Sequence, residues 1–158
     1  IANEHLDIID AVTRHAVMKS ATFMDKAEHA AIVEEIIDAL KAEPVCDWKD
    51  KKVVLTGITA EPDALLQVLV DNKVAVVADD VAQESRQYST LLDLAKKNNA
   101  TGVILCLMKF CDPEEYEETM IKPELKAAGI PVLTIDIDQQ PTSYDQARTR
   151  IQTFADII

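Results

Sequence analysis

Among the residues of this chain able to ligate a metal, attack an electrophile or move a proton are three cysteines, three histidines and 28 carboxylates. One thiol stands apart by position. The run Gly102-Val-Ile-Leu-Cys-Leu-Met-Lys-Phe-Cys-Asp-Pro-Glu-Glu115 reads as a buried strand passing straight into a helix start, with Cys111 at the junction. In an open parallel α/β sheet, ligands bind outside the carboxyl ends of the strands, and a helix N-terminus there favours negative charge such as a thiolate. Three readings of Cys111 follow: a ligand for a soft metal or iron–sulfur cluster, a nucleophile, or a small apolar residue closing a strand. A nucleophile needs a base, yet His5, His15 and His29 all fall in the N-terminal helices, where each reads as a surface or satisfied helix histidine. A cluster usually takes three or four thiolates, whereas Cys106 lies within the strand, Cys46 reads as a loop thiol, and no CxxC pair occurs.

Other polar residues collect where strands should end. Asp79, Asp80 and Glu84 could act as general acid or base or hold a divalent ion; against that, Asp80 or Ser85 could cap the next helix while the others face water. Arg86 and Lys109 could hold a phosphate or carboxylate, or pair with these acids. Gln83, Gln139 and Gln140 complete the polar rim. The first strand-to-helix turn has the single glycine Gly57, so neither GxGxxG nor GxxxxGK[ST] is present and a conventional nucleotide cradle is not supported.

The elements positioning these residues alternate regularly. Apolar Leu6, Ile9, Val12 and Ala16 predict a helix over 3–19, and Ala27, Ala31, Ile32, Ile36, Ala39 and Leu40 a second over 24–42. Beyond Pro44 come four branched apolar runs, 52–56, 74–78, 102–108 and 131–135, each followed by a turn and a helical stretch: 62–70, 85–98, 113–128 and 143–158. Continuous rather than alternating apolar strands predict an α/β fold with a four-stranded parallel sheet, Rossmann-like or flavodoxin-like, flanked by helices. The expected organisation is a helical hairpin over 1–44 and an α/β domain over 45–158. Asp112, Pro113 and Glu115 fit N-cap, N1 and N3 of the helix after the third strand, and Pro123 should break or kink that helix. Ser143 with Gln146 offers a second capping box.

Composition removes several classes. Sixteen basic against 28 acidic residues give a net charge of −12, which argues against binding nucleic acid. No apolar run approaches the roughly 20 residues needed to cross a bilayer. Unpaired cysteines suit a reducing, cytoplasmic setting. The chain opens on Ile1 with no signal-peptide pattern, which suggests a processed chain or a piece cut from something longer.

Three stretches carry a resemblance: Val77-Ala-Asp-Asp-Val-Ala-Gln-Glu-Ser-Arg-Gln-Tyr88, the segment from Gly102 to Tyr116 with its Lys-Phe-Cys-Asp-Pro core, and Ala128-Gly-Ile-Pro-Val-Leu-Thr-Ile-Asp-Ile-Asp-Gln-Gln140. Together they resemble the D-component family of 2-hydroxyacyl-CoA dehydratases, in particular its β subunits, with class I benzoyl-CoA reductase subunits as relatives. The resemblance implies an oxygen-sensitive heterodimer that dehydrates (R)-2-hydroxyacyl-CoA through a ketyl radical. It further implies a second, α-type subunit, an ATP-hydrolysing iron–sulfur activator that injects the electron, and a [4Fe–4S] cluster in each subunit. On this sequence the family's cluster cysteine is Cys111, and the other two ligands come from an earlier domain that these 158 residues do not contain. Phe110 would then limit water and oxygen, Lys109 tune charge, and Gln83, Glu84, Ser85 and Arg86 lend hydrogen bonds around the cluster. The alternatives are a non-catalytic α/β module for partner or acyl-CoA binding, and a benzoyl-CoA-type reductase subunit.

Overall fold

Runs of branched apolar residues too short for buried helices find their partners in one another. In a computed structural model that describes residues 1–60, 63–81, 90–138 and 144–158, they form β1 (Lys51–Gly57), β2 (Val74–Val81), β3 (Gly102–Met108) and β4 (Val132–Ile137). All pair in parallel, in the order β2-β1-β3-β4. The helices are α1 (Ala11–Ser20), α2 (Lys26–Ala42), α3 (Asp63–Asp71), α4 (Leu91–Lys97), α5 (Asp112–Ala127) and α6 (Asp145–Ala155). Successive strand residues point to opposite faces, and both faces are covered. Val53 and Leu55 join a core with Leu66 of α3 and Ile151 and Phe154 of α6, while Val54 packs with Ala95 of α4 and Leu125 of α5. Each fully buried side chain of this kind contributes about 1.5–3 kcal/mol, so apolar strands favour the doubly covered sheet expected from the sequence.

The strand order reverses between β1 and β3, the place where ligand crevices open in such sheets. Gly57, at the end of β1, has φ +124°, and a Cβ there would lie 2.0 Å from the Cys106 carbonyl oxygen of β3. Only glycine lets these strand ends close together.

Several local expectations are corrected. The first helix starts at Ala11, capped by Asp10 accepting from the Thr13 N–H (2.8 Å); ahead of it lie a 3-10 turn (Ala2–Glu4) and further turns. Leu6 is buried with Ala75 and Val77 of β2, and Asn3 donates to the Val77 carbonyl (2.8 Å), so this segment covers a sheet edge instead of extending a helix. His5 is likewise not a surface residue: it is 2% exposed, and its Nδ1 has no hydrogen-bond partner among the described residues. The hairpin is loose. Ala11 of α1 belongs to the main core, whereas α2 is largely exposed, buries only Leu40, and meets α1 through His29 Nε2 and the Val17 carbonyl (3.0 Å).

Pro123 does not break α5, which runs continuously around it. The proline lies on the exposed side, where the carbonyl it leaves without a backbone donor can take water. The cap of α4 is Thr90, whose hydroxyl accepts the Asp93 N–H (3.2 Å) and donates to the Asp93 carboxylate (2.7 Å), rather than Asp80. Ser85 and Ser143, expected as caps, lie outside the described residues.

Candidate functional site

Cys111 is placed by a tight turn between β3 and α5. The Lys109 N–H continues the β3–β4 ladder to the Ile137 carbonyl (3.0 Å), and the Cys111 N–H closes back on the Met108 carbonyl (3.1 Å). Phe110, between them, sits at φ +67°, a left-handed conformation that costs a non-glycine residue about 1–2 kcal/mol. The Cys111 carbonyl accepts from the Glu114 and Glu115 N–H groups (3.0 and 3.1 Å), which makes Cys111 itself the N-cap, one residue earlier than the sequence suggested. Its side chain makes no capping hydrogen bond. Consequently it is Glu114, rather than Glu115, that reaches back: 7% exposed, it accepts the Met108 N–H at 3.1 Å and ties the helix to the strand end. Three carboxylates, Asp112, Glu114 and Glu115, occupy the first turn of α5, where the helix dipole favours them.

This turn walls a cavity of about 540 Å³ lined by Met108, Lys109, Phe110, Cys111, Asp112, Pro113 and Asp138. Across it, Lys109 Nζ donates to Asp138 Oδ2 at 3.2 Å, with both side chains about half exposed. Burial raises the Tyr144 phenol above its ordinary range, and the Asp138 charge adds to the effect. Cys111 is half-buried. The Phe110 ring is 93% exposed, so no described residue packs it over the thiol. A thiol beside an amine–carboxylate pair, in a space of this size, can ligate a soft metal or accept a small polar group.

The cavity receives one thiol from this chain. Cys106 is 1% exposed within β3, and Cys46 lies ahead of β1, its thiol raised by partial burial and by Asp7. Among the described residues no group of three histidine, cysteine, aspartate or glutamate side chains could hold a metal ion. The donors present therefore fit one corner of an iron–sulfur cluster and do not make a complete site.

The acids of β2 are elsewhere. Asp79 and Asp80 lie within the strand, which is longer than its apolar run, and β2 is two strands from β3, about 10 Å away. Asp79 Oδ2 accepts from Arg14 Nε at 2.7 Å, with side chains 12% and 18% exposed. Asp80 is 9% exposed, its carbonyl accepting from the Thr56 hydroxyl (3.3 Å). Gln83, Glu84, Ser85, Arg86, Gln139 and Gln140 lie outside the described residues. Lys109 pairs as expected, but with Asp138 rather than the β2 acids. Arg14, Glu114 and Asp138 were not singled out from sequence. Glu114 was legible as the third residue after Cys111 once that residue is taken as the cap; Arg14 was not, because its partner is 65 residues away.

Fold and site together define a flavodoxin-like α/β protein with a solitary thiol in the crevice of its β3–β4 corner. The chain belongs to the family described as 2-hydroxyglutaryl-CoA dehydratase, D-component, whose model matches residues 2–93 and 87–158. It is 34% identical to the lactoyl-CoA dehydratase subunit beta of Anaerotignum propionicum over 194 residues, covering 100% of this chain and 52% of the relative. It is 36% identical to the (R)-phenyllactyl-CoA dehydratase beta subunit of Clostridium sporogenes over 192 residues, covering 100% of the chain and 51% of the relative. The (R)-2-hydroxyglutaryl-CoA dehydratase subunit beta of Acidaminococcus fermentans is 32% identical over 195 residues, covering 99% and 52%. The chain thus spans about half the length of the curated relatives it matches. An alignment of 194 positions against a chain of 158 residues leaves at least 36 without a counterpart here. The two family matches overlap at residues 87–93. No helix among the described residues is long and apolar enough to cross a membrane.

Proposed function

We propose that this chain is the C-terminal half of a β-type subunit of a cytoplasmic, oxygen-sensitive 2-hydroxyacyl-CoA dehydratase, a lyase that converts (R)-2-hydroxyacyl-CoA to enoyl-CoA. In this reading Cys111 supplies one of three thiolates to a [4Fe–4S] cluster, and the remaining two come from the half of the subunit beyond this span. An α-type subunit completes the enzyme. An ATP-hydrolysing iron–sulfur activator delivers the electron that turns the thioester into a ketyl radical, from which the hydroxyl leaves as water.

The observation that carries the reading is the half-buried Cys111 at the β3–α5 junction, facing a cavity of about 540 Å³ in a chain 32–36% identical to three dehydratase β subunits. The chemistry supports it. Glu114 and the two backbone closures around Phe110 hold the thiol on a rigid strand end, as a cluster ligand requires. Alone, the chain lacks the donors for a cluster, so it is inactive without the rest of the enzyme.

The test is anaerobic purification of the complete subunit with its α-type partner, followed by iron and sulfide analysis and assay on 2-hydroxyacyl-CoA. Cys111→Ala should strip the β-type subunit of its cluster and its visible absorbance. Unchanged iron content and spectrum would sink the assignment.

The at least 36 aligned positions without a counterpart here favour a second reading, a non-catalytic module that retains the fold for binding a partner or acyl-CoA. Such a module forms the subunit complex and binds acyl-CoA, yet gives no turnover when the activator and ATP are supplied.

A further inference from the structure

Three carboxylates crowd the first turn of α5, and one of them is buried. Asp112 and Glu115 are exposed, as attraction to a helix dipole allows, whereas Glu114 is 7% exposed. Taking a carboxylate out of water costs free energy unless a specific bond offsets it, so the burial of Glu114 needs its own cause. The cause lies in the register of β3. In a parallel ladder, alternate residues turn their N–H groups to opposite neighbours. The Val103 and Lys109 N–H groups go to the Pro131 and Ile137 carbonyls on the β4 side, so the Met108 N–H faces the β1 side. Pairing of β1 with β3 ends at Gly57 and Cys106, short of Met108. Glu114 Oε2 accepts that N–H at 3.1 Å and takes the place of the carbonyl that a longer β1 would supply. This substitution falls at the β1–β3 boundary, where the strand order reverses.

A glutamate at the third helical position ordinarily returns to the N–H of its own N-cap residue. Here the N-cap is Cys111, whose N–H already goes to the Met108 carbonyl, and Glu114 reaches past it to the strand. Met108 is thus closed on Cys111 by one bond and on Glu114 by another, with Phe110 held at φ +67° inside the turn. A positive φ at an aromatic residue persists only where its surroundings over-determine it, and a hydrogen bond to a carboxylate is among the stronger means of doing so. The Cys111 side chain makes no capping hydrogen bond, so the place of its thiol follows from these closures.

We infer that Glu114 is the positioning residue of Cys111: its carboxyl oxygen, standing in for a β1 carbonyl, fixes the turn that presents the thiol to the cavity. What acts is the reach of the side chain and its acceptor oxygen rather than its negative charge. The consequence for a cluster rests on the dehydratase reading above; the positioning of the thiol does not.

Three substitutions separate reach from charge. Glu114→Gln keeps the reach and an acceptor oxygen, Glu114→Asp keeps the charge at the helix N-terminus but falls one methylene short, and Glu114→Ala loses both. A nitroxide attached to Cys111 in a Cys46→Ser background reports local motion through its electron paramagnetic resonance line; Cys106, 1% exposed, is too buried to react. Well below each melting transition, the line should stay that of an ordered label in Glu114→Gln and narrow to that of a mobile one in Glu114→Asp and Glu114→Ala. In the complete anaerobic subunit with its α-type partner, iron loss to a chelator should quicken about tenfold in Glu114→Asp and stay within about twofold of wild type in Glu114→Gln. If Glu114→Ala does not fold, the glutamine and aspartate variants still decide, because a plain helix-dipole role ranks them in the opposite order. Equal label motion in all folded variants, or an aspartate variant that matches wild type while the glutamine variant does not, overturns the positioning role and leaves the dehydratase reading standing. The expected label series in a chain whose complete wild-type enzyme holds no iron keeps the positioning role and sinks the cluster.

Discussion

The β2 corner and the β3–β4 corner of the sheet begin from the same kind of sequence, an apolar strand ending in charged residues, and put those charges to different use. At β2, Asp79 is clamped by Arg14 of α1, Asp80 lies in the strand, and only about 10 Å³ of space remains between α1 and the strand. At β3–β4 the charges ring a cavity of about 540 Å³, and the pair of Lys109 with Asp138 is half exposed. The difference comes from what lies over each corner. An N-terminal helix descends on β2 and turns its acid into an anchor, whereas beyond β3 the chain doubles back through Phe110 and leaves its thiol beside open space. Position at a strand end is therefore necessary for a site in this fold but does not suffice; an element that fails to cover it is also needed.

The two corners are joined at the β1–β3 contact, so the largest effect belongs there. Gly57→Ala puts a Cβ 2.0 Å from the Cys106 carbonyl at a left-handed φ of +124°, which should cost on the order of 3–5 kcal/mol. Urea unfolding should show the midpoint collapse, with Cys111 and the buried Cys106 both becoming open to alkylation. A midpoint within a few tenths molar of wild type would mean that the strand ends do not touch as described.

Next comes the clamp at β2. Arg14→Met keeps the aliphatic stem but leaves Asp79 partly buried and unpaired, at about 1–3 kcal/mol. If the corners are as distinct as the geometry indicates, this loss appears in stability alone, and the alkylation rate of native Cys111 stays at the wild-type value. A change in Cys111 reactivity would show the two corners to be coupled and the contrast between them to be false.

The strands and the parallel sheet were legible because burial on both faces demands continuous apolar runs, and few other structures use them. The first helix was misread because Leu6 and Ile9 keep helical spacing while serving turns that close on the His5 carbonyl and fill the β2 edge. Cys111 was legible for its place between a strand and a proline-bearing helix start. Its surroundings were only half so: which glutamate reaches back depends on a one-residue difference in where α5 begins, and propensity does not resolve that. The outward turn of Phe110 could not be read at all, since nothing in an aromatic residue announces a positive φ. Long-range pairs such as Arg14 with Asp79 are properties of the packing, which sequence spacing does not encode.

The smallest effect probes what steadies the open corner from below. Glu118 of α5 accepts from the Thr134 hydroxyl of β4 (2.6 Å) and pairs with Lys122 of its own helix. Burial, the largest single influence on this carboxyl, opposes ionisation; the Lys122 and Thr134 hydrogen bonds, with the charges of Lys122 and Arg150, together outweigh it and hold the group below its ordinary value of 4.5. Because the folded form is the stronger acid, the contribution is fully present above that ordinary value and is lost as pH falls through the folded one. Glu118→Gln should therefore destabilise by roughly 0.5–1 kcal/mol at neutral pH, and the gap to wild type should narrow from about pH 4.5 downward. Urea midpoints between pH 7 and pH 3 read this directly. A gap that stays constant across that range would mean that Glu118 holds α5 to β4 without its charge, and that the open corner owes its rigidity to the Glu114 tie at the strand end alone.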